Sequence, residues 1–374
     1  MRERKGPGFG PQTLRSRWIG AAGSLAWLVV SACGSSSPTS PVMNPLPLGR
    51  LLVGNTRGNN VVQFDPESGA FLGEFIPAGT GGLFSPDAII LGPDANGDGI
   101  PDLYISSGNQ PAGSAEAASS VLRFDGLTGS FLDAFVANDP ATDADETGGL
   151  LRPYGIAFGP DGNLYVSSFL TDQILRYSGS TGAFLDVYAQ GDGLPGGLNG
   201  PNGLLFGPDG ALYVTTQGSV AVEGEPDFSR GLPSQILRYD LSSGSASVFA
   251  TPDPLEGGAG FVSLLGLAIG PDGALYVSDF GGGIRFYDLS SGSELGSFST
   301  DFTGADPSGN FVGSLSFGLN GILYSVGFDF REGANTIGAI LRYNTTAGIP
   351  AGDPGATFVP PTPVLQRPIG ILFY

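Results

Sequence analysis

Residues 153–166 read PYGIAFGPDGNLYV, and this stretch decides the fold because near-copies of it recur along the chain. Residues 201–214 read PNGLLFGPDGALYV and residues 264–277 read LLGLAIGPDGALYV, while degenerate copies occupy residues 86–105 and 312–326. In the three near-copies two short apolar stretches flank a GPDG turn, in which Pro presets φ and Gly accepts a positive φ. Each copy therefore predicts a β-hairpin.

The hairpins belong to a longer repeating unit. Each is followed by an apolar and aromatic stretch such as ILRY, by a turn that ends in Gly, and by a fourth stretch such as AFLDVY. The turn glycines recur every 48 to 62 residues, at Gly69, Gly129, Gly182, Gly244, Gly292 and Gly348. A four-stranded antiparallel unit of this size cannot bury both of its faces alone, so we expect the copies to stack radially as the blades of a β-propeller.

The two ends of the chain predict the number of blades. Residues 51–55 start at the second-strand position of the unit, so the first unit lacks its innermost strand. The chain ends with RPIGILF at residues 367–373, which matches the missing strand. We therefore predict an all-β, six-bladed propeller of four-stranded antiparallel blades, in which the C-terminal strand completes the N-terminal blade. The alternative, an open repeat array or two β-sandwiches, leaves this complementary truncation unexplained.

The composition narrows the chemistry that the chain can perform. The 374 residues include 63 Gly and 30 Pro but no His, which excludes mechanisms that need an imidazole. With 16 basic and 35 acidic residues the formal net charge is −19, so a nucleic-acid partner is not expected. A single cysteine means that no intramolecular disulfide can form.

Residues 1–32 are predicted to be a signal peptide. Basic residues precede an apolar stretch at residues 18–32, which is shorter than the roughly 20 residues needed to span a bilayer. The stretch runs into VSACG, which resembles the lipobox of bacterial lipoproteins and contains Cys33, the only cysteine. The resemblance implies lipidation of Cys33 and an extracytoplasmic anchor in the cell envelope, at the outer membrane or cell surface; the alternative is an ordinary signal peptide cut after Ala32. We expect residues 33–47 to form a Ser/Pro-rich tether and residues 48–374 the propeller.

The expected binding surface is the rim of the propeller where the long and variable connections gather. The alternative is that these connections vary because nothing constrains them. Asn55 and Asp279 end second strands on this rim and are further candidates for it, unless they only cap turns. The residues that open the inner strands should line the mouth of the channel there: Ile369, Asp87, Tyr154, Asn202, Leu265 and Gly313.

A calcium loop is predicted in the one irregular hairpin. Where GPDG is expected, residues 92–102 read GPDANGDGIPD. The glutamate of position 12 in such a loop is replaced by Ile105, so we expect weak binding of a structural calcium. An Asx-rich turn without metal is the alternative. The oxygen donors fall at positions 1, 3, 5, 7 and 9, namely Asp94, Asn96, Asp98, the carbonyl of Ile100, and Asp102.

Four arginines recur at one place in the third strands, at Arg123, Arg176, Arg238 and Arg342. Third strands lie well away from the propeller axis, which argues against a ring of arginines that binds an anion. We expect these side chains to form salt bridges between blades or to stack on tyrosines.

Over residues 49–374 the chain resembles the NHL-repeat and gluconolactonase-like six-bladed propellers, with the streptogramin lyases as relatives. The resemblance rests on the pattern P-x-G-I-x-F-G-P-D-G-x-L-Y-V. It implies a divalent cation at the channel mouth, for which Asp87 and Asn202 match two ligands, but Ile369 and Leu265 stand where a Glu and an Asp are expected. The catalytic His of the lyases has no counterpart.

These observations favour a non-catalytic binding protein, held at the membrane through Cys33, that binds a protein, glycan or small molecule at the variable rim. The alternative is a divalent-metal-dependent lactonase or esterase of the gluconolactonase-like type. A third possibility is a purely structural component of the cell envelope, without a saturable ligand.

Overall fold

Six four-stranded antiparallel sheets form the blades of a propeller in this computed structural model, which confirms the predicted all-β, six-bladed fold. The structure describes residues 49–108, 119–141, 144–302, 310–329, 337–345 and 356–374. The predicted signal peptide, the tether and Cys33 lie outside the described residues. Inner strands of all six blades line a central channel, which contains a cavity of about 290 Å³.

Strands are numbered along the chain, and each blade is given from the channel outward. The blades are β26 (Pro368–Phe373), β1 (Leu51–Asn55), β2 (Asn60–Phe64), β3 (Phe71–Ile76); β4 (Ile89–Gly92), β5 (Asp102–Ser107), β6 (Ser120–Phe124), β7 (Phe131–Val136); β8 (Pro153–Phe158), β9 (Leu164–Ser168), β10 (Gln173–Tyr177), β11 (Phe184–Gln190); β12 (Pro201–Phe206), β13 (Leu212–Thr216), β16 (Ile236–Tyr239), β17 (Ala246–Ala250); β18 (Leu264–Ile269), β19 (Leu275–Asp279), β20 (Gly283–Tyr287), β21 (Glu294–Ser299); and β22 (Asn310–Phe317), β23 (Ile322–Asp329), β24 (Ile337–Asn344), β25 (Thr357–Gln366).

The connections between the blade strands contain further short elements. The link between the second and third strands of blade 4 contains a hairpin of β14 (Val220–Val222) and β15 (Glu225–Asp227). The described ranges also contain 3₁₀ turns at Thr80–Gly82, Phe169–Thr171 and Leu319–Gly321. Among the helices of these ranges, none has the length and apolar character needed to cross a bilayer.

The GPDG hairpins are closed by a hydrogen bond inside the repeated motif. In blade 3 the hydroxyl of Tyr165 donates to Asp161 Oδ2 at 3.1 Å. The same contact, at 3.1 and 3.0 Å, joins Tyr213 to Asp209 and Tyr276 to Asp272. The recurrence of D-G-x-L-Y in the sequence therefore follows from one side-chain pair that links the turn to the second strand.

Glycines in the inner strands let neighbouring blades approach closely around the channel. A Cβ atom at Gly155 would lie 2.4 Å from the carbonyl oxygen of Asn202 in the next blade. A Cβ atom at Gly370 would lie 2.2 Å from the carbonyl oxygen of Asp87. Real Cβ atoms do not come so close to a backbone oxygen, so the third residue of the P-x-G pattern is fixed by the packing of the ring.

The ring is closed as predicted, because β26 is hydrogen-bonded to β1 as the innermost strand of blade 1. Ile371 pairs with Val53 in the antiparallel register. Beyond the strand, the backbone amide of Arg50 donates to the carbonyl oxygen of Tyr374 at 2.8 Å, and the reverse bond measures 3.1 Å. The two ends of the propeller are thus joined by main-chain hydrogen bonds.

The third-strand arginines have structural roles, but the expected salt bridges between blades are wrong. Arg123 pairs with Asp133, and Arg176 pairs with Asp186 at 2.5 Å, in both cases with the neighbouring fourth strand of the same blade. Arg238 pairs with Asp209 at 2.8 Å and Arg342 lies over the ring of Phe358 at 4.1 Å, again within one blade. The ion pairs stay within a blade because antiparallel register places an Asp beside Arg123 and Arg176, and the turn of the first hairpin beside Arg238. The alternative expectation, stacking on a tyrosine, is met at Arg123, whose guanidinium carbon lies 5.8 Å from the centre of the Tyr104 ring.

Candidate functional site

A cavity of about 170 Å³ opens at the end of the channel where the inner strands begin. Of the residues predicted to open the inner strands, Gly313 is not among those that line it. Asn55 and Asp279 do not line it either. Side chains from five blades form its walls: Asp87, Arg152, Tyr154, Asn202, Gln217, Ser263, Leu265, Phe280, Arg367 and Ile369.

Hydroxyl groups on the second strands hold the backbone of the cavity residues in place. The Ser106 hydroxyl donates to the carbonyl oxygen of Tyr154 in the next blade at 2.7 Å. The corresponding bond from Ser167 to the carbonyl oxygen of Asn202 also measures 2.7 Å, and that from Thr215 to Leu265 measures 2.5 Å. Each of these bonds is buried, so it fixes a cavity residue of one blade relative to its neighbour.

Two cavity arginines occupy an unusual backbone conformation. Arg152 and Arg367 have φ values of 55° and 50°, and each is followed by the proline that opens an inner strand. Such a conformation costs about 1–3 kcal/mol for a residue with a side chain, so the surroundings must enforce it. At Arg367 they do so through Thr56, whose amide and hydroxyl donate to the Arg367 carbonyl oxygen at 3.2 and 2.8 Å.

The Arg367 guanidinium is only partly satisfied by its surroundings. Its Nε atom is buried and has no hydrogen-bond acceptor within the described ranges. Burial lowers the pKa of Arg367 and the charges of Arg152 and Arg57 lower it further, whereas the nearby Tyr154 and Asp87 oppose this shift. The charged form of Arg367 is therefore held at a free-energy cost that an anion in the cavity would relieve.

Tyr154 and Arg152 form a second polar wall of the cavity. The Arg152 guanidinium carbon lies 5.4 Å from the centre of the Tyr154 ring and 5.3 Å from that of Phe169. Burial raises the pKa of Tyr154 to about 12, so its hydroxyl stays protonated at neutral pH and can donate a hydrogen bond.

An aromatic side chain, Phe280, also lines the cavity. Phe280 is stacked on Phe311, with ring centres 4.2 Å apart and an angle of 4° between the planes. The Arg367 guanidinium carbon lies 6.0 Å from the centre of the Phe328 ring, which belongs to the same aromatic group. The cavity thus combines positive charge with a flat apolar wall.

Asn55 and Asp279 are engaged in structural contacts. The Asn55 amide donates to the carbonyl oxygen of Val364 at 2.8 Å and its Oδ1 accepts from the amide of Gln366 at 3.0 Å. Asp279 is 0% exposed and accepts a hydrogen bond from Arg285 Nε at 2.9 Å. Both side chains face their own framework, as expected if they serve to fix turns and strands.

The suggested metal ligands at the channel mouth, Asp87 and Asn202, do lie in one cavity. They share it with the guanidinium groups of Arg152 and Arg367, whose charges oppose a divalent cation. In the part of the chain that the structure describes, no three His, Cys, Asp or Glu side chains are grouped as in a metal site.

The predicted calcium loop connects β4 to β5, at the opposite end of the inner strand from the cavity. Asp94 accepts backbone hydrogen bonds from Gly97 and Gly99 at 2.7 and 2.8 Å. Asn96 Oδ1 accepts from the amide of Asp98, and Asp98 Oδ1 from that of Ile100. Asp102 is 0% exposed, and burial raises the pKa of its carboxyl group.

The fold and the cavity define a six-bladed propeller with a small polar and aromatic cavity at one end of its channel. No protein-family model and no curated protein sequence matches the chain. The structure is similar to a chain in a nidogen–laminin complex, with a TM-score of 0.57 and 14% identity over 86% of this chain and 97% of that one.

Two further solved structures are similar to this chain. A protein described as a gluconolactonase gives a TM-score of 0.47 and 17% identity over 74% of this chain and 78% of that one. Virginiamycin B lyase from Staphylococcus aureus gives 0.45 and 16% over 79% and 81%. The similarity to the chain of the nidogen–laminin complex, at 14% identity, shows the fold alone, and nothing is concluded from the other two.

Proposed function

We propose that this chain is an exported, lipid-anchored binding protein whose cavity takes the anionic group of a small molecule, a glycan or a protein. One observation carries the proposal: the guanidinium groups of Arg152 and Arg367 line one small cavity, and among the described residues that line it Asp87 is the one carboxylate. The chain as a whole has a net charge of −19, so a net positive cavity is a local exception. Such a site concentrates anions in its mouth.

The chemistry of the walls indicates the class of ligand. A guanidinium group offers a planar set of donors that matches carboxylate and phosphate groups. Phe280, which also lines the cavity, adds an aromatic side chain that can contact an aromatic or sugar ring. Because typical ligand pockets measure about 300–1,000 Å³, a cavity of about 170 Å³ would hold only the charged end group, and the remainder of a larger ligand would lie on the rim.

Paired probes that differ in one carboxylate test this proposal. We expect glucuronate to bind more tightly than glucose, and benzoate more tightly than benzyl alcohol, in calorimetric titrations of the purified protein. Replacing Arg367 with Met keeps an unbranched apolar stem but removes the guanidinium group and its charge. Since a hydrogen bond to a charged group contributes about 1.5–3 kcal/mol, Arg367→Met should weaken binding of the carboxylates by about 10- to 150-fold.

A matched variant separates this effect from a general change in charge. Arg238→Met removes the same charge from a third strand, where Arg238 pairs with Asp209, and should leave binding of the carboxylates unchanged. Equal affinity for charged and neutral probes, or equal effects of the two variants, would contradict the proposal.

The metal-dependent hydrolase remains the competing hypothesis, since Asp87 and Asn202 share the cavity. It predicts that the protein hydrolyses lactones or aryl esters. EDTA should inhibit this hydrolysis, and Asn202→Ala should abolish it. That result would replace the binding proposal.

Export and anchoring are proposed from the leader and the lipobox-like VSACG. Wild-type protein should fractionate with membranes and incorporate labelled fatty acid, while Cys33→Ser should do neither. Equal fractionation of both proteins would refute lipidation at Cys33.

A further inference from the structure

The β4–β5 connection departs from the other hairpins in the role of its first aspartate. In blades 3, 4 and 5 the Asp of GPDG accepts a hydrogen bond from the tyrosine of the next strand. In blade 2 the hydroxyl of Tyr104 donates to the carbonyl oxygen of Pro93 instead, at 3.3 Å. Asp94 is thereby released from closing the hairpin, and its carboxylate lies within the inserted loop, where it accepts the amides of Gly97 and Gly99.

Blade 2 also differs from the other hairpins at Asp102, the residue before its second-strand motif. The residue before L-Y-V is Ala211 in blade 4 and Ala274 in blade 5, and both are buried. At the same place in blade 2, Asp102 is 0% exposed. Its Oδ2 accepts from the amide of Ala95 at 2.8 Å, so the carboxylate faces the loop, but the buried Oδ1 has no partner among the residues that the structure describes.

A buried carboxylate with an unpaired oxygen destabilises a protein unless something compensates its charge. Alanine serves at this position in two other blades, so packing does not require Asp102. The charge of Arg123 offsets part of this cost, but Arg123 is already paired with Asp133, and the nearby carboxylates of Asp94 and Asp125 act in the opposite direction. A cation bound between Asp102 and the loop would remove this cost.

We propose that the β4–β5 loop binds a calcium ion through Asp94, Asn96, Asp98, the carbonyl oxygen of Ile100, and Asp102. These donors are all oxygens, as calcium prefers, and Gly99, with φ of 88°, makes the sharp turn that such a loop needs at its sixth position. Asn96 Nδ2 donates to Asp125 Oδ2 at 2.5 Å, which holds the amide with its oxygen toward the loop. No three acidic side chains are yet gathered in the described ranges, so Asp98 at the exposed tip must turn inward on binding.

The site is separate from the anion-binding cavity, since it lies at the opposite end of the inner strand. Its effect is to stabilise blade 2 and the adjoining turn. Asp125 anchors that turn by accepting hydrogen bonds from the amides of Leu127 and Thr128. Because Ile105 replaces the glutamate that usually completes such a loop, the dissociation constant should lie in the range of about 10⁻⁴–10⁻³ M.

Thermal unfolding of the purified protein in EDTA and in 5 mM calcium tests the site. We expect calcium to raise the Tm of a chain of this size by about 1–3 °C, and this rise should saturate as the calcium concentration increases. Magnesium at 5 mM should raise Tm less. Asp102→Ala copies blades 4 and 5: it should raise Tm in EDTA, because a buried charge is removed, and abolish the response to calcium. Asp98→Asn, at an exposed position, should weaken the response without affecting folding.

Asp272→Asn is the matched control, since it alters the aspartate of a regular hairpin and should leave the calcium response unchanged. Calorimetric titration with calcium chloride gives the affinity of each protein directly. The proposal is overturned if calcium has no saturable effect on the wild type, or if Asp98→Asn and Asp102→Ala respond as fully as the wild type does. An equal effect of magnesium would overturn the assignment to calcium.

Discussion

Replacing Ile371 with Ala tests whether the C-terminal strand stabilises the ring as much as an internal strand does. Ile371 is 4% exposed and packs in a cluster that joins blade 1, through Leu51 and Val53, to blade 6, through Val326 and Ile340. Ile156 occupies the same position in β8 and is 2% exposed, so Ile156→Ala is a matched comparison.

The expected size of the effect follows from this burial. Removing a fully buried Ile side chain down to Ala costs about 2–5 kcal/mol. With an unfolding entropy of about 2.1 cal/mol/K per residue, such a loss lowers the Tm of a chain of this size by roughly 3–7 °C. Since the two isoleucines are buried alike, we expect Ile371→Ala and Ile156→Ala to lower Tm by similar amounts.

Calorimetry measures the Tm of the two variants, and hydrogen exchange of the wild type measures the local stability of each strand. Amides in β1 and β26 should exchange as slowly as those of β8 and β9, because they unfold with the whole ring. If Ile371→Ala has less than a third of the effect of Ile156→Ala, or if β26 exchanges quickly on its own, then closure by this strand contributes little and the reasoning fails.

Two further variants test the framework. Arg285→Ala should destabilise the protein by about 3–5 kcal/mol in urea unfolding, because it leaves the buried Asp279 carboxylate unpaired; a cost below 1 kcal/mol would mean that the carboxylate finds another partner. Gly155→Ala places a Cβ atom 2.4 Å from the Asn202 carbonyl oxygen, so it should lower Tm and also weaken binding of glucuronate. Unchanged Tm would show that the blades can separate there without cost.

Much of the fold could be predicted because local and global signals agree in this sequence. Turn residues, strand composition and the spacing of the copies all indicate four-stranded units, and the missing first strand of the first unit matches the surplus strand at the end. In the structure the two segments are paired strands, with Leu51 opposite Phe373. A repeat gives the same information several times, so that a degenerate copy such as residues 312–326 can be assigned from the others.

The cavity was only partly visible in the sequence. Counting along the inner strands identifies Asp87, Tyr154 and Asn202, but it overlooks Arg152 and Arg367 because they stand one residue before the repeated motif. A signal was available, since R-P recurs at the same point of two units. Its meaning depends on the positive φ at both arginines, which turns the residue before proline toward the channel, and no local propensity predicts that conformation.

Asn55 and Asp279 show the opposite error, since the sequence predicts them as binding candidates and the structure does not place them in the cavity. Both end second strands on the rim, so the sequence makes them look available to a ligand. Asn55 binds the backbone of Val364 and Gln366, more than 300 residues away, and Asp279 binds the buried Arg285 on the adjacent strand β20. The direction of a side chain at the end of a strand is set by such tertiary neighbours, which the spacing of a motif does not reveal.

Ring closure and the cavity are coupled through one short segment. Arg367 and Ile369 line the cavity, and the strand that begins at Pro368 is the one that joins the last blade to the first. A ligand that contacts Arg367 and Arg152 therefore bridges the closing strand and blade 3, and it can bind in this way only when the ring is closed. By linkage, an anion at 100 times its dissociation constant should stabilise the closed ring by about 2.7 kcal/mol. At the same anion concentration Arg367→Met, with binding weakened by about 10- to 150-fold, should reduce that increment to about 0.3–1.4 kcal/mol. The stability conferred by Ile371 should stay intact, which separates the contribution of the ligand from that of the strand.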